Sequence, residues 1–84
     1  MRAGDVVYHR PTGETWLLAW GTEMDVSPCG WPESIAKSSD CDLVKAATND
    51  EHITMLRRWA IKSNDYRASM ARRQLGEAGI DGAI

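Results

Sequence analysis

The 84-residue sequence contains no phenylalanine, two cysteines and three prolines, and no apolar run approaches the length of a membrane span. Its N-terminus lacks the apolar stretch of a secretion signal, so we expect a cytoplasmic protein whose thiols are reduced. The short length leaves room for one domain, which we assign to residues 1–75, with a flexible tail at residues 76–84. Four tryptophans and four methionines supply large apolar side chains in place of phenylalanine.

The sequence also lacks the common patterns of catalytic sites. It contains no Ser-His-Asp spacing, no paired-carboxylate pattern and no glycine-rich loop that could hold a phosphate. A nucleophilic cysteine would need a neighbouring base, and the only histidines are His9 and His52. We therefore predict that the protein is not an enzyme and needs no cofactor.

Residues 4–20 predict a β-hairpin on which the rest of the chain must pack. Residue types that suit strands lie on both sides of the turn Arg10-Pro11-Thr12-Gly13. Proline suits the second position of a type I turn, and Gly13 suits the left-handed position of a three-residue loop. The second strand has no polar face, so we expect it to be covered on both sides. Its alternation places three side chains on one face: Trp16, Leu18 and Trp20.

A hairpin alone is marginally stable in water, and three later segments can extend it. The segment from Met24 to Pro28 alternates like a third strand, which the proline ends or marks as an edge. Residues 34–37 predict a short fourth strand or one helical turn. Cys41 to Ala46 predict the last strand.

Two helices are predicted after the strands. Thr48-Asn49-Asp50-Glu51 is a capping box, and the helix that it opens should end near residues 63–64. Its apolar face comprises Ile53, Leu56, Trp59 and Ala60. A second helix is predicted from Asp65 to Leu75, capped by Gly76. Its inward side chains are expected to be Tyr66, Met70 and Ala71.

Strands followed by helices indicate an α+β domain. We predict a small bent antiparallel sheet or Src-homology-3-like barrel of four or five strands, followed by two C-terminal helices. In this arrangement the first helix packs across the sheet. The alternative is an open meander with both helices on one face.

Two cysteines and two histidines form the one ligand set that could bind zinc. No two of them lie at the short spacing of a zinc knuckle, so a site would have to combine distant elements. The alternative is that the cysteines are small core residues and the histidines are exposed or hydrogen-bonded. We predict this alternative, with no structural metal and at least one cysteine buried. The zinc set would comprise His9, Cys29, Cys41 and His52.

Charge is unevenly distributed along the chain, whose net charge is −2. Between positions 57 and 73 the only acidic residue is Asp65, whereas six of the ten basic residues lie there. The six are Arg57, Arg58, Lys62, Arg67, Arg72 and Arg73. Such a segment could bind nucleic acid, or it could orient an acidic protein partner. Trp31, in the loop after the third strand, is a further candidate for an exposed contact.

Three motifs resemble a group of small uncharacterised proteins encoded by bacteriophages and prophages. They are Val7-x-His9-x-Pro11-Thr12-Gly13-Glu14-x-Trp16, then Cys29-Gly30-Trp31-Pro32-Glu33, and then Asp40-Cys41. The resemblance covers residues 4–75 and implies a phage context, without an activity or ligand residues. We therefore expect a phage or prophage accessory protein that binds a host or phage protein and no membrane. The alternatives are a nucleic-acid-binding protein that uses its basic helices and a small zinc-stabilised domain.

Overall fold

The computed structural model describes residues 1–30, 35–62 and 65–79. No helix within these ranges is long and apolar enough to cross a membrane. Five strands come first, and a single turn of 3₁₀-helix, Ser38–Asp40, joins the fourth strand to the fifth. The strands are β1 (Val6–His9), β2 (Glu14–Gly21), β3 (Asp25–Pro28), β4 (Ala36–Lys37) and β5 (Cys41–Lys45). The helices are α1 (Asn49–Ala60) and α2 (Tyr66–Glu77).

The five strands form one antiparallel sheet in the order β4-β3-β2-β1-β5. Strand β2 is the longest: its first half pairs with β1 and its second half with β3, so the sheet curls about it into a half-barrel. The predicted α+β fold, a small bent antiparallel sheet followed by two helices, is confirmed. Residues 36–37 form a strand, not a helical turn.

The left-handed backbone predicted at Gly13 is confirmed, but the predicted three-residue loop is wrong, because His9 pairs with Glu14 and leaves four residues in the loop, 10–13. Gly13 has φ 70°, and its N–H donates to the carbonyl oxygen of His9 at 2.8 Å. A side chain at this position would meet the steric cost of the left-handed region, which glycine avoids. On β1, Val7 and His9 are buried and Tyr8 is exposed, so this strand has one face in the interior and one outside.

The prediction that Trp20 shares a face with Trp16 and Leu18 is wrong. Leu18 pairs with Pro28, and Trp20 pairs with Ser27. An advance of two residues along β2 therefore corresponds to one residue along β3. This β-bulge interrupts the alternation and re-aims the side chains that follow it. Strand β2 is therefore buried on both faces only in its C-terminal half, since Leu17 is 42% exposed.

The bulge divides the interior into two clusters. One fills the half-barrel and comprises Val7, Trp16, Leu18, Val26 and Cys41. The other lies between the end of β2 and the two helices and comprises Ala3, Ala19, Trp20, Met55, Leu56, Trp59, Ala60, Ala71 and Leu75. Both cysteines are free thiols, and Cys41 is buried, so the prediction that at least one cysteine is buried is confirmed.

Helix α1 begins as predicted. The Thr48 hydroxyl accepts from the N–H of Glu51 at 3.1 Å, and the Glu51 carboxylate accepts from the N–H of Thr48 at 2.9 Å. The expected apolar face is buried except for Ile53, which is half-buried, and Met55 joins it. The helix ends at Ala60, before the residues where we expected its end, which lie outside the described ranges.

Helix α2 departs further from its predicted pattern. It continues through Glu77, and the left-handed glycine after it is Gly79 with φ 73°, so Gly76 is a helical residue and not the cap. Of the three expected inward residues only Ala71 is fully buried, because Tyr66 is 40% exposed and Met70 is half-buried. The buried positions are Arg67, Ala68, Ala71 and Leu75.

The N-terminal residues are tied to the start of α1. The buried Asp5 carboxylate accepts from the N–H of Ala47 at 2.7 Å and from the N–H of Arg2 at 2.9 Å. His52 Nδ1 lies 3.1 Å from the carbonyl oxygen of Ala3. These bonds fix the start of α1 against the residues that precede β1.

Candidate interaction surface

The six predicted basic residues separate into five exposed side chains and one buried side chain. Arg67 is 4% exposed and its guanidinium lies inside the molecule. Its Nη1 donates to the carbonyl oxygens of Pro28 at 2.8 Å, Cys29 at 3.0 Å and Gly30 at 3.2 Å. Arg67 therefore holds the chain where it leaves β3, and it does not belong to an exposed basic surface.

The buried guanidinium is neutralised by the residue that caps α2. Both carboxylate oxygens of Asp65 accept from the Arg67 side chain, at 2.8–3.2 Å, and Oδ1 also accepts from the N–H of Arg67. These bonds, led by those from the Arg67 side chain, lower the pKa of Asp65. The guanidinium carbon lies 4.2 Å from the centroid of the Trp59 ring, which joins the ion pair to α1.

The five exposed cations lie on the two helices and at Lys62, just after α1, and three of them contact other groups of the protein. Arg72 donates to the carbonyl oxygen of Ala60 at 2.8 Å, where the last carbonyls of α1 need partners. Lys62 lies 5.0 Å over the ring of Trp59, and Arg73 is within 4.0 Å of Glu77. Arg57 and Arg58 occupy the last turn of α1, where positive charge also favours the helix dipole.

The convex side of the sheet, opposite the half-barrel interior, exposes apolar side chains. We call the four residues of β1 and β2 on this side the outer face: Val6, Tyr8, Thr15 and Leu17. Beside it lies β5, an edge strand of the sheet, with Leu43 52% and Val44 60% exposed. Val44 is the extra residue of a second bulge, because Val6 pairs with Lys45 and Val7 with Leu43.

A cleft of about 360 Å³ separates the outer face from α1. Leu17 and Gly4 form its sheet side. We call it the α1 cleft; its helix side comprises Asp50, Glu51, Thr54, Met55 and Arg58.

Gly4 determines how closely α1 approaches the sheet. It has φ 89°, and a Cβ there would lie 3.0 Å from Cβ of Ala47 and 3.3 Å from the carbonyl oxygen of Glu51. Both the backbone conformation and the space therefore require glycine. Sequence reasoning missed Gly4 because both neighbours, Ala47 and Glu51, are more than forty positions away along the chain.

A second cleft, of about 490 Å³, lies at the mouth of the half-barrel between the hairpin turn and β4. The His9 ring forms part of its wall and stacks on Trp16, with ring centroids 4.1 Å apart and an interplanar angle of 17°. His9 Nδ1 lies 2.7 Å from the Thr12 hydroxyl, which orients the ring. His9 is thus a core residue with one hydrogen-bonded nitrogen.

The four residues considered for zinc do not converge on one point. His9 and Cys41 are partners across β1 and β5, whereas His52 faces Ala3. Cys29 lies beside Met55, its Sγ 3.6 Å from the methionine sulfur. Within the described ranges no three His, Cys, Asp or Glu side chains are grouped so that they could hold a metal ion.

Trp31, the remaining sequence candidate, lies outside the described residues. Comparison with known proteins adds no identity, since no family model, no curated protein and no solved structure matches the chain.

Proposed function

We propose that the chain is a small non-enzymatic protein-binding module, and that it serves as an accessory protein of a phage or prophage. The phage context depends on the motif resemblance described above. The binding role is supported mainly by the outer face, where Tyr8 and Leu17 are exposed near the edge strand β5. Single exposed apolar residues are common on soluble proteins, but contiguous ones are typical of interaction sites.

The position of the apolar residues supports a protein partner. Tyr8 and Leu17 are 39% and 42% exposed on neighbouring strands, and Val44 is exposed on the edge strand β5. Leu43 pairs with Val7 of the opposite face, and the β5 partners of Tyr8 and Val6 are Asp42 and Lys45. Aromatic and aliphatic side chains of this kind form the centre of protein interfaces. An edge strand also offers backbone groups to an added strand.

The cations support a protein partner more than a nucleic acid. Arg67 is buried, Arg72 bonds the end of α1, and Arg73 has Glu77 beside it. Fewer freely available cations mean fewer phosphates neutralised, and hence weaker salt-dependent binding.

The cysteines support a role without catalysis. Burial raises the pKa of the Cys29 thiol and of the Cys41 thiol. A raised pKa keeps a thiol protonated near neutral pH, and the protonated form is a poor nucleophile.

Affinity capture from infected and uninfected host lysate tests this proposal. The bait is the wild-type protein, compared with Leu17→Lys on the outer face and with Ile61→Lys, which adds the same charge at a side chain that is 70% exposed elsewhere. We expect a protein that survives nuclease treatment and is recovered with wild type and Ile61→Lys but not with Leu17→Lys.

Two results would contradict the proposal. Retention that disappears with nuclease and falls steeply with salt would favour the nucleic-acid alternative. Equal recovery of every prey by all three baits would show that the outer face binds nothing specific.

A further inference from the structure

The α1 cleft combines an apolar floor with opposite charges at its two ends. Leu17 and Met55 supply apolar surface, while Asp50 and Glu51 lie in the first turn of α1 and Arg58 in its last turn. The eight positions between Asp50 and Arg58 correspond to about 12 Å along the helix. The cleft is therefore negative at the end beside Asp50 and Glu51 and positive at the end beside Arg58.

The charged residues of the cleft differ in their partners. The Glu51 carboxylate accepts from the Thr48 N–H, and hydrogen bonds from Thr48 lower its pKa. Asp50 and Arg58 have no oppositely charged partner among the described residues. An arginine beside an apolar depression is a frequent energetic centre of protein interfaces.

We propose that the α1 cleft binds a linear peptide segment of the partner protein through one large apolar side chain with a carboxylate next to it. The apolar side chain fills the space between Leu17 and Met55, and the carboxylate pairs with Arg58. This inference depends on the proposed function, because it names the part of the surface that a protein partner would use. The volume of about 360 Å³ lies at the small end of ligand pockets, which fits a short anchor.

Charge complementarity selects this occupant over a nucleic acid. A phosphate chain lying along the cleft would meet Arg58 at one end but Asp50 at the other. A peptide can place an acidic residue beside Arg58 and a basic or neutral residue beside Asp50. The orientation of the bound segment is thereby determined.

Selection from a random peptide library of about twelve residues tests the proposal without knowledge of the partner. We expect the enriched peptides to share an apolar residue adjacent to Asp or Glu, and to lose about tenfold or more in affinity on Leu17→Arg and on Arg58→Glu. A second selection against Arg58→Glu should enrich Lys or Arg at the position of the acid. This charge reversal is a readout that a merely destabilised variant would not produce.

Several outcomes would overturn the proposal. These are the absence of enriched peptides, equal binding to Leu17→Arg and wild type, and selections on Arg58→Glu that leave the acidic preference unchanged. Peptides that lose affinity on Val44→Lys but not on Leu17→Arg would show that the binding site is at β5 and not in the α1 cleft. That result would leave the proposed protein-binding module in place. Failure of lysate capture alone would instead count against the module.

A second copy of the chain is the competing occupant. Met24 is 77% exposed between Glu23 and Asp25, so the chain itself presents an apolar side chain flanked by acids. Sedimentation of the wild-type protein distinguishes the two cases. A concentration-dependent oligomer that is lost on Met24→Lys and on Arg58→Glu would show that the cleft binds a second copy of the chain, and would overturn the proposal of a partner peptide.

Discussion

Helices α1 and α2 have the same length, twelve residues each, but different contacts hold them in the fold. Helix α1 buries four apolar side chains and begins at a complete capping box. Helix α2 buries two alanines, one leucine and the guanidinium of Arg67. The difference shows that one arginine-rich segment can contain both surface cations and an internal ion pair.

The chemistry at the two helix starts explains the contrast. Glu51 returns to the backbone of its own cap, so the first turn of α1 is a local structure. Asp65 caps α2 and also neutralises Arg67, whose other bonds reach the chain after β3. Helix α2 is therefore tied to the sheet by a charged group, which is costly to bury unless every partner is present.

The largest effect is expected for Trp59→Ala. Trp59 belongs to the cluster between sheet and helices and lies under both Lys62 and Arg67. Its removal should lower the free energy of unfolding by about 3–5 kcal/mol, enough to unfold most of a small domain. Circular dichroism and urea unfolding measure this directly. A well-folded variant would show that α1 is peripheral to the fold.

Arg67→Ala should destabilise by about 3 kcal/mol, because it leaves a largely buried carboxylate and three carbonyl oxygens without their donor. Arg57→Ala, on the exposed side of α1, is the matched control and should change stability by less than about 0.5 kcal/mol. Both are measured by urea unfolding. Similar values for the two variants would remove the distinction between the arginines of α1 and α2.

The two caps offer a smaller and more direct comparison. Thr48→Ala should cost about 1 kcal/mol, as is usual for a lost N-cap. Asp65→Ala should cost more, about 2 kcal/mol, since the carboxylate is also the partner of a buried cation. Equal values would show that the Asp65–Arg67 pair contributes little beyond capping. Unfolding curves collected at neutral pH measure both.

Acid should weaken the two helix starts in different pH ranges. The pKa of Glu51 is lowered from 4.5 by hydrogen bonds from the Thr48 backbone and hydroxyl, and that of Asp65 is lowered from 3.8 by Arg67. A lowered folded-state pKa stabilises the fold above the unfolded-state pKa, and this stabilisation is lost as the pH falls through the folded-state value.

We therefore expect wild type to lose stability relative to Glu51→Gln below pH 4.5, and relative to Asp65→Asn below pH 3.8. Unfolding free energies measured between neutral pH and the acid limit of folding test both windows. Parallel pH profiles for wild type and Asp65→Asn would mean that the ion pair is absent in solution.

Local patterns in the sequence determined most of the secondary structure. The turn at Gly13, the capping box at Thr48 and the apolar spacing of α1 each depend on residues within a few positions of one another. Such rules act before any tertiary contact forms, so they can be read from the chain. The exposed candidates Arg57 and Arg58 were likewise predictable, because they lie opposite a clear apolar face.

Only the tertiary structure decided the features that depend on distant residues. The bulge that turns Trp20 into the helix cluster arises from pairing with β3, and the burial of Arg67 depends on carbonyl groups nearly forty positions away. Gly4 and Leu17 line one cleft because α1 packs over the segment that precedes β1. The sequence determined which local elements form, whereas long-range packing determined which side chains those elements bury and which they leave available for a partner.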